Sequence, residues 1–307
     1  MGREVHMVWY IPVVLKIIVG NCITPYCVKR LSNAEERLSS FSLMYLFCLL
    51  FAGIVAFFGG ISWHVGMSIL LVGGFANTFA SYTYWRAMKI SMTKTSLYGF
   101  FTDIVSMAFC YVFLHEDAFL TLSIAIGIAL VIISVIGYAI TDYRKKAKDK
   151  GDNGENIRLY LYVGIFVLIW GSALFMMRYL MVGHMSAPNF LLGWYSGSMV
   201  GVLVLWGVRA RTHGKIGITA LIQGMMNTEI GVTAITAVAV VASLLFTYWA
   251  YETPQVIVQP IFMISAVVMP VLIGLFLYSE RKKIHHAQWL YLAIGIIGAF
   301  VVAISKP

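Results

Sequence analysis

Asp103 stands alone in the run "YGFFTDIVSMAFCYVF" (98–113), whose other residues are aromatic, aliphatic or small. A carboxyl group in that company can bind a proton, pair with a cation or receive the amino group of a ligand. Left ionised against lipid it costs about 2.5 kcal/mol or more. Lys16 is isolated in the same way within "VVLKIIVG" (13–20). Three arrangements of these two residues are open. They can form a buried ion pair that fixes helix packing. Asp103 can bind a proton or a substrate amine, with a shift of the Lys16 ammonium loading or releasing that proton. Or both can line a water-filled vestibule. If Lys16 instead meets a carboxylate while Asp103 meets an amine, the two together suit a zwitterion.

Other polar residues fall near the centres of apolar runs. Asn77, Ser81 and Tyr84 recur at helical spacing and make one polar stripe. Asn21, Trp170, Ser172, Ser243, Tyr248, Gln259 and Ser265 extend the set of expected binding residues, and Pro260 and Pro270 suggest a locally interrupted helix around Gln259. The aromatics Tyr82, Tyr84, Trp85, Tyr98, Trp194, Tyr195, Tyr248 and Trp249 can build a stacking pocket or simply pack and anchor. Gly193, Gly197 and Gly201 share one helical face, a small-residue stripe suited to packing within the chain or to a dimer contact. Cys22, Cys27, Cys48 and Cys110 form no CxxC pair and read as packing groups. His285 and His286 are adjacent and have no second ligand cluster nearby, so neither metal nor cofactor is expected. His115-Glu116-Asp117 reads as a helix end and polar turn, and no nucleophile and base pair suggests an enzyme.

The elements that must hold these residues follow from composition. Hydrophobic residues make up 60% of the 307, charged residues 11%, and mean hydropathy is +0.85. A soluble chain carries about 25% charged residues. The apolar blocks are about as long as the roughly 20 residues that cross a bilayer. Ten spans are expected, near 8–28, 39–60, 66–88, 93–114, 119–140, 158–179, 189–208, 230–252, 254–278 and 286–305. No separate soluble domain and no cleavable signal peptide are expected. Of the 22 Lys and Arg, 17 fall in the odd-numbered connections, from Lys29 to Lys283. Only Arg3, Arg178 and Lys306 fall on the opposite side. Basic connections favour the cytoplasm, so both termini are expected outside it. The segment 143–158, "YRKKAKDKGDNGENIR", reads as a solvated linker that fixes topology in preference to a tether for nucleic acid or anionic lipid.

That linker separates two similar halves, 1–142 and 158–307, with 143–157 between them. "FASYTYWRAMK" (79–89) aligns with "LLFTYWAYET" (244–253) at an offset of 164, matching Thr83, Tyr84 and Trp85 with Thr247, Tyr248 and Trp249. The same offset carries Glu116 onto Glu280, and after a four-residue insertion "AIGI" occurs at 125–128 and 293–296. Ordered matches at one spacing argue for an internal repeat. Five spans per half is an odd number, which inverts the second half in the membrane, as in secondary transporters.

Along nearly its full length the chain resembles the drug/metabolite transporter superfamily, specifically the ten-helix EamA-type members. The resemblance rests on Glu116 and Glu280, where the family often has Leu-Gly-Glu, and on "IWGSALFMMR" (169–178), which looks like its Trp-Gly-Ser entry to the sixth helix. His115 and Ser279 replace the glycine, and the first span offers Val19-Gly20-Asn21 without the tryptophan. Members are commonly drawn with both termini in the cytoplasm, opposite to the charge bias here. The resemblance implies first and fourth helices that both line a central cavity, which makes a Lys16–Asp103 contact reachable.

The function expected is secondary transport, without ATP, of small organic metabolites such as amino acids. It would work by alternating access in a bacterial or archaeal cytoplasmic membrane, with protons as a candidate coupling partner; the residues leave the direction open, and the resemblance implies export ahead of import. The chain would act as a monomer or homodimer in the lipid bilayer, with no nucleic-acid partner. The alternatives are a flippase for a lipid-linked sugar, with a cavity open sideways to lipid, and a non-transporting scaffold.

Overall fold

The computed structural model describes residues 10–33, 37–61, 66–115, 121–148, 153–213, 229–253, 255–279 and 286–304, and among these there is no strand. In chain order the helices are α1 (Tyr10–Lys16), a π-helical segment Ile17–Ile23, α2 (Thr24–Ser32), α3 (Arg37–Gly59), α4 (Gly66–Ile90), α5 (Met92–Gly99), α6 (Phe101–Leu114) and α7 (Leu122–Lys148). They continue with α8 (Asn153–Val182), α9 (Ala187–His213), α10 (Ile230–Ala250), α11 (Gln255–Phe276) and α12 (His286–Ile304).

Among the described residues, six runs are long and apolar enough to cross a membrane: Tyr10–Ser32, Leu38–Gly59, Met92–Leu114, Ile157–Val182, Ala187–Arg209 and Ile230–Ala250. Leu122–Tyr138 and Ile261–Phe276 are shorter apolar helices. Large apolar side chains point outward, Phe57 and Phe58 being 80% and 82% exposed and Leu122 77%. Water would penalise that surface; hydrocarbon does not.

Three local features differ from the sequence reading. The segment 143–157 is mostly helical, since α7 runs through Lys148 and α8 starts at Asn153; its Lys, Arg, Ala and Glu are good helix formers. The interruption expected around Gln259 is absent, because α11 continues through both Pro260 and Pro270. Proline's fixed φ is helical, and only the bond to the preceding turn is lost. The interruptions lie in other spans. One is the π segment of the first. The other is in the fourth, where α5 ends at Gly99 and α6 begins at Phe101, with the Asp103 N–H bonded to the Phe100 carbonyl at 3.1 Å.

The chain divides into two compact units, 1–85 with 176–252 and 86–175 with 253–307, so each draws helices from both halves of the sequence. In the first unit, α4 and α9 cross closely in the same direction. Gly74 lies against the Trp194 carbonyl and Gly197 against the Leu71 carbonyl, where a Cβ would meet backbone. The small-residue stripe therefore packs within the chain. The helices α3 and α9 run antiparallel, with Trp206 Nε1 donating to Ser42 Oγ at 2.6 Å near one end and Pro188 against Gly59 near the other.

In the second unit a core of Leu97, Phe100, Met107, Ile124, Leu159 and Met263 joins α5–α8 to α11. There α7 and α12 also run antiparallel: Gly137 meets Tyr291, Ser134 Oγ donates to the Tyr291 carbonyl, and Gly298 approaches the Gly127 carbonyl. The pairs α3/α9, α6/α11 and α7/α12 are those that the repeat expected from the sequence would equate. Two helix ends share a backbone geometry. His115 and Ser279, 164 positions apart, both take left-handed backbone, with φ of 54° and 55°. Glycine enters this region without a steric cost, whereas histidine and serine do not.

Candidate functional site

Among the described residues, a buried polar cluster lies in the second unit. Asp103, Ser106 and Cys110 occupy positions i, i+3 and i+7 of α6 and so share one face. Gln255 and Gln259, at i and i+4 of α11, share the face opposite. All five are buried, at 6%, 0%, 0%, 0% and 1% exposure respectively. Cys110 Sγ donates to Gln255 Oε1 at 2.9 Å. Gln255 Nε2 donates to Ser106 Oγ and, at 3.3 Å, to Gln259 Oε1. Gln259 Nε2 donates to Asp103 Oδ1. Asp103 sits eleven residues from either end of the Met92–Leu114 span, in the first turn of α6. The break after Gly99 leaves helix N–H groups near it, and the positive end of the α6 dipole favours an anion there.

The first unit holds two further clusters. In the first span the π segment makes residues five apart neighbours. Lys16 Nζ donates to Asn21 Oδ1 at 3.0 Å, and Thr24 Oγ1 to the Val19 carbonyl at 2.9 Å. Gly20 abuts Ser243 of α10, where any side chain would strike the serine hydroxyl. The expected stripe on α4 forms the other cluster. Asn77 Nδ2 donates to the Tyr45 hydroxyl at 3.1 Å and Ser198 Oγ at 3.4 Å, and Ser81 Oγ donates to Asn77 Oδ1 at 3.2 Å. Tyr84 is half-buried on the same helix.

Of the expected residues, Asp103 and Gln259 are brought together, as are Lys16 with Asn21 and Asn77 with Ser81. Lys16 belongs to the first unit and Asp103 to the second. Tyr248 gives its hydroxyl to the Met185 carbonyl and packs on Phe190. Trp170 stacks on Phe166, while Ser172 is exposed and bonds to its own helix at the Leu168 carbonyl. Ser265 likewise bonds to the Ile261 and Phe262 carbonyls. Glu116 and Glu280 lie outside the described residues.

Sequence reasoning missed Gln255, Ser106 and Cys110; the i, i+3, i+7 spacing on α6 against i, i+4 on α11 was the available signal. It also missed Arg178, which is buried and donates to the carbonyl of Tyr251 at the C-terminal cap of α10. A cation belongs at that negative end of a helix.

No family profile matches the chain, and no curated protein does. Among 25 matching solved chains is a crystal structure that aligns over 97% of this chain and 96% of its own. Its TM-score is 0.58 at 13% identity, a likeness of fold alone. Fold and composition together define an all-helical protein with several membrane-crossing helices.

Proposed function

We propose that this protein is a secondary transporter of small organic metabolites, amino acids or related amphipathic compounds, working by alternating access without ATP. In this reading ten helices form two inverted five-helix repeats of the drug/metabolite transporter kind. The basic connections face the cytoplasm, and export is the favoured direction. The observation that carries it is Asp103, a carboxyl group at mid-span, buried and hydrogen-bonded between helices that the repeat equates. A buried acid at that depth is costly, and such residues mark ion and substrate pathways. The antiparallel packing of α3 with α9, α6 with α11 and α7 with α12 adds support. So do the left-handed ends at His115 and Ser279, since inverted repeats place equivalent helices head to tail.

The test is a substrate-panel counterflow assay in proteoliposomes, with and without a pH gradient, on wild type and Asp103→Asn. Solute flux that the mutation reduces at least tenfold supports the carrier. Flux of no solute by wild type, or flux indifferent to Asp103→Asn, removes it. Scrambling of a fluorescent lipid-linked sugar in place of solute flux identifies a flippase instead.

A further inference from the structure

Every bond in the ladder on α6 and α11 points the same way, from Cys110 through Gln255 and Gln259 to Asp103. An ionised carboxylate only accepts, so this polarity suits the anion. A proton on Oδ1, the oxygen that meets Gln259, gives that oxygen an O–H to donate, and the Gln259 nitrogen facing it cannot accept. Turning that amide over presents its carbonyl oxygen and aims its NH2 at Gln255. The Gln255 amide must then turn as well, leaving its nitrogen facing Cys110 and its oxygen facing Ser106 and Gln259. Ser106 and Cys110 can each donate or accept, so the reversed ladder is bonded throughout: Ser106 changes from acceptor to donor and Cys110 from donor to acceptor.

We propose that Asp103, Gln259, Gln255, Ser106 and Cys110 form a two-polarity hydrogen-bond ladder that takes one proton at Asp103 and reports it at Cys110. The step balances simply. Asp103 Oδ1 gains one proton from the aqueous phase, two side-chain amides rotate by half a turn, and no other N–H, O–H or S–H bond breaks. The signal travels seven residues along α6, roughly 10.5 Å at the rise of an α-helix. Among side chains described on the elements packed against α6, the titratable or charged ones are Lys94 and Tyr98 on α5 and the exposed Arg158, Tyr160, Tyr162, Arg178 and Tyr179 on α8, the last two belonging to the first unit; α11 carries none. Tyr98 pairs with Tyr160, and Tyr162 accepts from Arg86. Asp103 is the one carboxyl group in that set. The use made of the proton rests on the transporter reading; the switch itself belongs to the second unit.

Infrared difference spectra of the purified full-length protein in lipid nanodiscs, stepped in pH without any solute, test this. The S–H stretch lies in a window free of other protein bands, and Cys110→Ala identifies the Cys110 band among the four cysteines. A carboxylic C=O band should rise as the Cys110 S–H band shifts, with one shared midpoint. Asp103→Asn should abolish both changes. Gln255→Leu should keep the carboxyl band and lose the S–H shift completely. Four results overturn the proposal: separate midpoints in wild type, an S–H shift that survives Asp103→Asn, a sodium titration at fixed pH that reproduces the shift, or no carboxyl titration at all. The wild-type midpoints decide the matter even where a variant does not fold. Because no solute is present, a failed transport assay with a positive spectrum removes the carrier and leaves the switch.

Discussion

Replacing Gln259 by leucine removes the amide that donates to Asp103 while leaving the carboxyl group buried at 6% exposure. A hydrogen bond to a charged group contributes about 1.5–3 kcal/mol in water-soluble proteins. Interhelical bonds in membranes average nearer 0.6 kcal/mol and reach about 1.7, because the unfolded state in lipid also finds partners. Gln259 and Asp103 are almost wholly enclosed, and Gln259 also accepts from Gln255. The upper part of the membrane range therefore applies, and the loss of both ladder bonds should cost about 2 kcal/mol. That is roughly a thirtyfold shift in the unfolding equilibrium. The double variant Asp103→Leu with Gln259→Leu removes donor and acceptor together and should recover at least half of the loss, since the buried carboxyl group is no longer there to miss its donor. Steric-trap unfolding in bicelles measures the wild type, both single variants and the double variant as one cycle. Strict additivity of the two single effects, or a Gln259→Leu protein as stable as wild type, would refute the coupling drawn here between α6 and α11.

Gly197→Ala places a methyl group against the Leu71 backbone and should destabilise by about 1–3 kcal/mol, whereas Gly164→Ala meets open space and should stabilise by up to about 1 kcal/mol; thermal unfolding in detergent reads both signs. His115→Gly and Ser279→Gly relieve left-handed backbone and should each stabilise by about 1 kcal/mol in the same assay, against no gain for a glycine placed one residue earlier, at Leu114 or Tyr278. Arg178→Met removes the cation from the end of α10 and should destabilise by about 1–2 kcal/mol, with faster hydrogen exchange confined to the last turn of that helix.

The membrane class was legible because no arrangement of 11% charged residues can coat a chain of this length in water. Six of the expected spans pass on length and hydropathy. The third, 66–88, falls short because the stripe that makes it interesting, Asn77 to Tyr84, also makes it polar. Asp103 and Asn77 were found because a lone polar group in an apolar run is visible without knowing what it faces. Gln255 and Cys110 were not, since a glutamine near a span end and a cysteine within one look like packing until the facing helix is known. The prolines of α11 misled for a related reason: proline weakens a helix locally, and neighbouring packing decides whether it breaks.

The π segment at Ile17–Ile23 has a consequence for phase. An ordinary helix turns about 100° per residue, so a helix that carries one surplus residue in a single wide turn presents everything before it on a rotated azimuth. Excising one residue between Lys16 and Asn21 would let the segment rewind to a regular helix and swing the lysine by about that angle, away from its asparagine. Tolerance of single deletions here, set against single deletions in α3, is thus a ruler for whether the ammonium must point where it does.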